Sequence, residues 1–540
     1  MMRISFAVAI TAAAGILLVQ PTSGQSTPEE LGEVHFSVSC NPDAQRRFDR
    51  AVSILHSFWY EEAVKGFKTV IEADPSCSMG YWGIAMSNWY QLWYPPNPAH
   101  LKEGLTAIQQ AESAVAKTER ERDCIRALDA FYRDSDKIDH RTRSLGYEKA
   151  MEQVYLRYPD DREAAIFYAL ALNATALLTD KTYANQRKAA AILEPILAQQ
   201  SNHPGVAHYL IHSYDSEPLA EHGLPAARRY AQIAPSVPHA LHMPSHIFTR
   251  LGLWQEDINS NRHAADAGIA YARATFGPGV GWDQALHAMD YLEYAYLQVA
   301  QDREAKQVRD SLVALQKVTP EGLAAAYAIA AIPARFALER RNWPEAVALS
   351  APPFVFPWDR FPHMLAITSF ARALGAAHTG DIATAQNEVE RLQSLHQALL
   401  ERRDVYWADQ VEVQRLGAAG ALARAEGKDD EAVRLTRAAA DLDGTMDKLN
   451  VTPAEVLPAR ELLADLLLDV NQPAEALSEY ERSLGMEPKR FRSLVGAARA
   501  AKMSGDADKA RAFYAQIVDS CSSATTERPE LVEARAFVTR

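Results

Sequence analysis

Glu461-Leu-Leu-Ala-Asp-Leu-Leu-Leu-Asp-Val-Asn-Gln-Pro-Ala-Glu-Ala-Leu-Ser-Glu-Tyr480 and Val495-Gly-Ala-Ala-Arg-Ala-Ala-Lys-Met-Ser-Gly-Asp-Ala-Asp-Lys-Ala-Arg-Ala-Phe-Tyr514 are one pattern written twice, 34 residues apart. Ala464, Ala476 and Tyr480 recur as Ala498, Ala510 and Tyr514, with Pro488 closing the first unit. Asn-Gln-Pro or Gly-Asp breaks each unit into two helical runs. Small residues in both runs let two helices approach closely, and the aromatic four residues after the second alanine fills the gap to the next pair. Working outward, apolar residues recur at helical spacing nearly everywhere and strand signals are almost absent. The chain is predicted to be all-α, without a β-sheet.

This helix–turn–helix period resembles the tetratricopeptide repeat family. Ala63, Phe67, Val70 and Pro75 match the same pattern near the start. Gly252-Leu-Trp-Gln-Glu-Asp257, Gly380-Asp-Ile-Ala-Thr-Ala385 and Gly427-Lys-Asp-Asp-Glu-Ala432 resemble its inter-helix turn and the start of its second helix. The resemblance implies an α-solenoid from about residue 40 to 520, irregular in the middle, where 120–200 also reads as irregular helical hairpins. We divide the chain into 25–40 (extension), 41–200 (N-terminal hairpins), 201–310 (His-rich repeats), 311–520 (C-terminal repeats) and 521–540 (tail). Solenoids grow in one dimension, which suits 540 residues better than a single core does.

Met1-Met2-Arg3, the apolar run Ile4–Val19 and the small residues Pro21–Gly24 read as a secretory signal peptide, residues 1–24, with the mature chain starting near Gln25. The apolar run is short for a membrane span. A soluble secreted or periplasmic protein is expected, resembling exported bacterial proteins built from such repeats. In an oxidising compartment Cys40 and Cys77, which flank one helix pair, are the candidate disulfide. A net charge of −13 argues against nucleic acid as a partner. Two stretches, Trp89–Pro98 and Pro352–Pro362, are rich in aromatics and proline. Each is either a loop packed on the solenoid edge or an aromatic wall beside a ligand groove.

Seven of the 16 histidines fall between His203 and His246. His208/His212 and His242/His246 have the i, i+4 spacing that stacks two imidazoles on one helix face. In the repeat family the first helix of each pair lines the concave face. With Gly252 as the turn, the register puts His239, His242, His246 and Thr249 on that face. A three-residue insertion within 215–225 adds His208, His212 and Asp215 from the preceding unit, and the following unit adds His287, Asp290 and Tyr294. Pro244 either shortens this helix or kinks it.

Three readings stay open. The histidines are buried hydrogen-bonding groups, or a transition-metal site for Zn²⁺ or Cu²⁺ (Ni²⁺ suits the same donors), or imidazole donors for an acidic or peptide ligand. His208, His212, His242 and His246 are the metal candidates. His239, His287, Asp290, Tyr294 and Asp215 are the ligand-binding candidates. Tyr209 and Met243 stand where a zincin motif needs Glu, and no nucleophile elbow or phosphate-cradling Gly loop occurs. A metal-dependent hydrolase would have Asp215 or Asp290 as its base. The two functions expected are therefore an exported scaffold that holds a protein, peptide or small ligand in a His-lined concave groove, and a metal-dependent enzyme or metal-binding protein centred on the cluster.

Overall fold

The computed structural model describes residues 29–539 except 93, 115 and 351–353. The signal-peptide segment, the start near Gln25, and Trp93, Pro352 and Pro353 of the two aromatic stretches lie outside the described residues. Within them the fold is all-α, an α-solenoid of tetratricopeptide-like helix–turn–helix repeats running from Pro42 to Val538.

One turn is repeated along it. The residue five before a fully buried alanine sits in the left-handed region, with φ between 51° and 84°. The pairs are Phe58/Ala63, Ala300/Ala305, Arg341/Ala346, Gly380/Ala385, Arg403/Ala408, Gly427/Ala432, Asn471/Ala476 and Gly505/Ala510. The next amide reaches back across the turn, as Gln472 N does to Leu467 O at 2.8 Å and Asp506 N to Ala501 O at 2.9 Å. This ends the first helix and aims the second back along it. The buried alanine is then small enough for the helices to touch. Gly496 and Tyr480 show the same economy, since a Cβ on Gly496 would lie 2.0 Å from the Tyr480 ring. Gly252 keeps the left-handed turn, but the residue five later is Asp257, buried where the other units carry alanine.

The superhelix turns tightly enough to close on itself. The end of Pro42–His56 meets Pro204–Tyr214, with the His56 ring at Tyr209 Oη (2.9 Å) and Tyr230 Oη donating to Ser57 (3.0 Å). Trp254 Nε1 donates to Lys489 O at 3.1 Å, and Phe491 N to Gln298 at 2.9 Å, so the C-terminal repeats cover the central ones. The expected open concave groove is therefore largely an interior. Residues 444–458, between the helices Asp429–Asp443 and Ala459–Asp469, form a strap across it. Tyr291 Oη donates to Thr452 O (3.0 Å), Tyr327 Oη to Ala454 O (2.9 Å) and Asp447 N to Leu178 O (3.0 Å).

Two local expectations change and one open alternative is decided. A parallel two-stranded ribbon pairs Val280–Trp282 with Lys317–Thr319, where the glycine-rich link after a long helix runs extended. The expected tail carries a helix, Pro529–Val538, whose Leu531 and Ala534 cap the last repeat. Phe356 and Phe361 pack down into the core, so the second aromatic stretch lies against the solenoid. Cys40 and Cys77 are joined as a disulfide with Cα atoms 5.2 Å apart. Among the described residues no helix is long and apolar enough to cross a membrane.

Candidate metal centre

Three successive first helices bring the histidines together. Pro204–Tyr214 starts with proline at its first turn, capped by the His203 ring, and carries His208 and His212. The next element is kinked: Pro238–His242 and Pro244–Arg250 are joined through Met243, which keeps helical angles (φ −52°, ψ −34°). Pro244 thus interrupts the hydrogen-bond ladder without unwinding the chain, and the His242 and His246 rings still meet, edge to face with centres 5.0 Å apart. Asp283–Gln298 adds His287.

The result is two contiguous triads, His208/His212/His239 and His242/His246/His287, each able to present one nitrogen per residue within 4.8 Å of the others. They share a wall: the His212 and His246 rings are 5.7 Å apart and those of His239 and His242 5.8 Å. All six imidazoles are buried. Burial holds every one below its ordinary pKa, and neighbouring imidazoles push the same way at His208, His212, His239, His242 and His287. His212 is lowered to about 3. The cluster is neutral at physiological pH.

The hydrogen bonds around it fix where the ring protons are. His246 Nδ1 donates to Asp215 Oδ2 at 2.8 Å, and a carboxylate only accepts. His242 Nδ1 donates to Asn261 Oδ1 at 2.6 Å. Asn261 is held in that orientation because its Nδ2 donates to Asp257 O at 3.2 Å. Both rings are therefore Nδ1–H tautomers, and their bare Nε2 lone pairs face each other at 3.0 Å. In the other triad His208 Nδ1 donates to His56 O at 2.6 Å, which bares its Nε2 toward His212 Nε2, 3.1 Å away. Two nitrogens at that spacing, each 2.0–2.1 Å from one ion, subtend roughly 95° at it, an ordinary ligand angle. His212 Nδ1 lies 3.4 Å from Asn450 Nδ2 on the strap.

The outer residues explain why the repeat breaks its own pattern here. Asp257, in the alanine place, holds Asn261 and accepts from Thr249, and burial pushes its carboxyl up to about 8, so it is largely neutral. Asp215 is shared by His246, Arg250 Nε (2.9 Å) and Lys448 Nζ (3.4 Å). It orients the His246 ring, with both oxygens engaged. Phe58, at a left-handed turn, lays its ring against His208 at 4.3 Å.

Two candidate residues do not belong to this site. Asp290 follows His287 by three residues but turns to Arg335, 2.5 Å away. Tyr294 lies in a second buried ion network, against Glu487 and Arg490 (both 3.2 Å). Arg335 draws Asp290 away because a lone buried carboxylate is costly. The tyrosine that does face the imidazoles is Tyr291, 4.8 Å from His242 and 5.0 Å from His246 between ring centres. Asn261, Asp257, Lys448, Asn450 and Tyr291 carried no sequence signal apart from the aspartate in an alanine place.

A third group, His56/Glu163/His203, has a different logic. Glu163 accepts from both rings, at 3.0 and 2.8 Å, and His203 Nδ1 caps its helix. Gly205 leaves the room: a Cβ there would lie 2.6 Å from His56 Nδ1. Each ring nitrogen of His56 and His203 has a use in the scaffold.

No family model and no curated protein matches the chain. Among solved structures, the crystal structure of yeast Tom70 aligns over 92% of this chain and 95% of its own at 10% identity, with a TM-score of 0.34. The human IFIT1 dimer with PPP-AAAA aligns over 82% and 90% at 12% identity, with a TM-score of 0.36. These similarities are too low to bear on function, and the α-solenoid fold is read from this chain's own helices.

Proposed function

We propose that this protein is a metalloprotein whose solenoid encloses a dinuclear centre, one ion per histidine triad, and that the ions are copper. The observation that carries this is the His242–His246 pair. Two neutral imidazoles, each with its Nδ1 proton committed elsewhere, hold bare lone pairs 3.0 Å apart in a buried site. Burial disfavours a shared proton there, and a metal cation resolves the repulsion while leaving each second nitrogen on its acceptor.

Charge favours copper over zinc. Six neutral imidazoles bring no negative charge, Asp257 is held largely protonated, and Asp215 is balanced by Arg250 and Lys448. Two divalent ions would leave a large uncompensated charge in that interior, whereas a copper pair in its monovalent state halves it. The hydrolase alternative is weaker, because the aspartates that would serve as base, Asp215 and Asp290, are both held by cations. The scaffold alternative loses its groove to the strap. The disulfide supports an exported protein in an oxidising compartment, the expected setting for such a centre.

The test is metal analysis of the full chain loaded anaerobically with Cu(I), and separately with Zn²⁺. About two copper ions per chain are expected, with loss of stoichiometric binding in His212→Ala and His246→Ala and retention of helical circular dichroism. A chain that takes up neither metal, with the variants merely melting earlier, sinks the reading.

A further inference from the structure

Of the six histidines, His212 lines a cavity. A space of about 310 Å³ opens beside His212, and the other five imidazoles do not line it. Its walls come from four parts of the chain: the first aromatic stretch (Trp89, Tyr94), the end of Arg162–Thr175 with Ala174, the end of Pro204–Tyr214, and the strap (Lys448, Asn450). Leu323 and Trp407 add to the apolar lining, and Gln91, His140, Ser144, Asn173 and Gln186 add polar side chains, with Asp215 and Asp447 as the acids. The centre is thus asymmetric. The His208/His212/His239 triad meets a chamber, while Tyr291 covers the other.

Size and chemistry narrow what the chamber takes. An apolar cavity of roughly 150 Å³ holds a benzene molecule, so about 310 Å³ admits one substituted ring with room to orient. The half-buried rings of Tyr94 and Trp407 suit a flat π-system, while Trp89 is itself packed on Phe131 and Tyr147. The cavity also has a polar side. An ammonium has three donors, and Lys448 gives two of them, to Thr452 O at 2.9 Å and Asp215 at 3.4 Å. A ligand oxygen near Asn450 would take the third. An aromatic ring whose one polar substituent is an acidic oxygen satisfies both sides at once. A purely apolar ring would leave the ammonium and amide facing it, and a polar aliphatic acid would leave the aromatic walls unused.

We infer that this cavity is a binding site for a small phenol, its ring among Trp89, Tyr94 and Trp407 and its oxygen toward Lys448 and His212. As a substrate site it rests on the metal reading; as a ligand site it stands on the cavity alone. The sequence left Trp89–Pro98 as either an edge loop or an aromatic wall beside a ligand groove, and this inference takes the second reading.

The experiment titrates 4-nitrophenol into the full chain, metal-free and copper-loaded, following tryptophan fluorescence and the ligand's visible absorption. Saturable binding to both forms is expected, with the ionised fraction of the bound phenol raised by Lys448. Ala174→Phe, which fills the chamber, should weaken binding at least tenfold with metal content unchanged. Lys448→Met should weaken it and remove the rise in ionised fraction. Should the Ala174 variant fail to fold, the near-isosteric lysine variant decides. Absence of saturable binding in the wild type, or unchanged binding in a folded Ala174→Phe and in Lys448→Met, overturns the inference. Phenol binding without any metal uptake upholds the cavity site and overturns the metal reading. Metal uptake without phenol binding does the reverse.

Discussion

Asn261 stands one residue removed from any metal, yet it decides the tautomer of His242. Its carbonyl takes the Nδ1 proton at 2.6 Å, and its amide is pinned by Asp257. Asn261→Leu should therefore weaken metal binding by roughly 10- to 100-fold, the usual effect of removing an orienting acceptor, as read by competition with a chelator. An unchanged affinity would mean that His242 is not a ligand. The same neutrality sets a pH dependence. The unfolded chain begins to bind protons on its imidazoles as pH falls through the ordinary value of 6.5, whereas native His212 refuses them down to about 3. Stability of the metal-free protein is thus full above 6.5 and is lost as pH falls below it, by up to about 1.4 kcal/mol per pH unit for each such imidazole. Thermal melts between pH 7 and pH 4 check this, and a flat profile would contradict it. At this scale the sequence was informative where spacing carries meaning, since two i, i+4 pairs pointed to one place. It misdirected at Asp290 and Tyr294, because which way a side chain turns depends on a cation, Arg335 or Arg490, supplied from distant sequence.

The helix pair is the unit at which the sequence spoke most clearly. Ala476 with Tyr480 and Ala510 with Tyr514 specify a close contact and its filler, and the structure packs all four out of solvent. Gly496→Ala should place a methyl group into the Tyr480 ring and destabilise the chain by about 1–3 kcal/mol, as overpacking does. Chemical denaturation would show this as a lower midpoint at unchanged slope, and a neutral result would mean that the helices can part freely. The middle of the chain looked irregular because the turn residue there is often not glycine. Ala300, Arg341 and Arg403 hold the same left-handed angle as Gly380 and Gly427, at a steric cost of about 1–2 kcal/mol each that packing absorbs. Residue identity hides such a turn, and the backbone shows it. The proline kink at Met243–Pro244 was similarly open in the sequence, since either outcome obeys local rules.

Across the whole molecule the sequence said least. Helical periodicity reports which face of each helix is buried, but it is silent on the pitch of the superhelix. Here that pitch folds the inner face into an interior and lays the strap over it. The one long-range link legible beforehand, Cys40–Cys77, closes a separation of 37 residues at the first repeat. Replacing both cysteines with serine should lower stability by about 2–4 kcal/mol, measured by thermal denaturation against the oxidised protein. Equal melting temperatures would show that the repeat needs no staple.

The strap also imposes an order in time. A chain emerging from its N-terminus has all six imidazoles once His287 is out, but it lacks the cover of residues 444–458 until the last repeats follow. An ion meets an open cradle early and a sealed one late. Metal present during refolding should be captured within the folding time, while the same metal given to the finished protein should reach the triad under Tyr291 only as fast as the strap lifts. Stopped-flow uptake by refolding and native samples separates the two, and equal rates would show that the strap never bars the way.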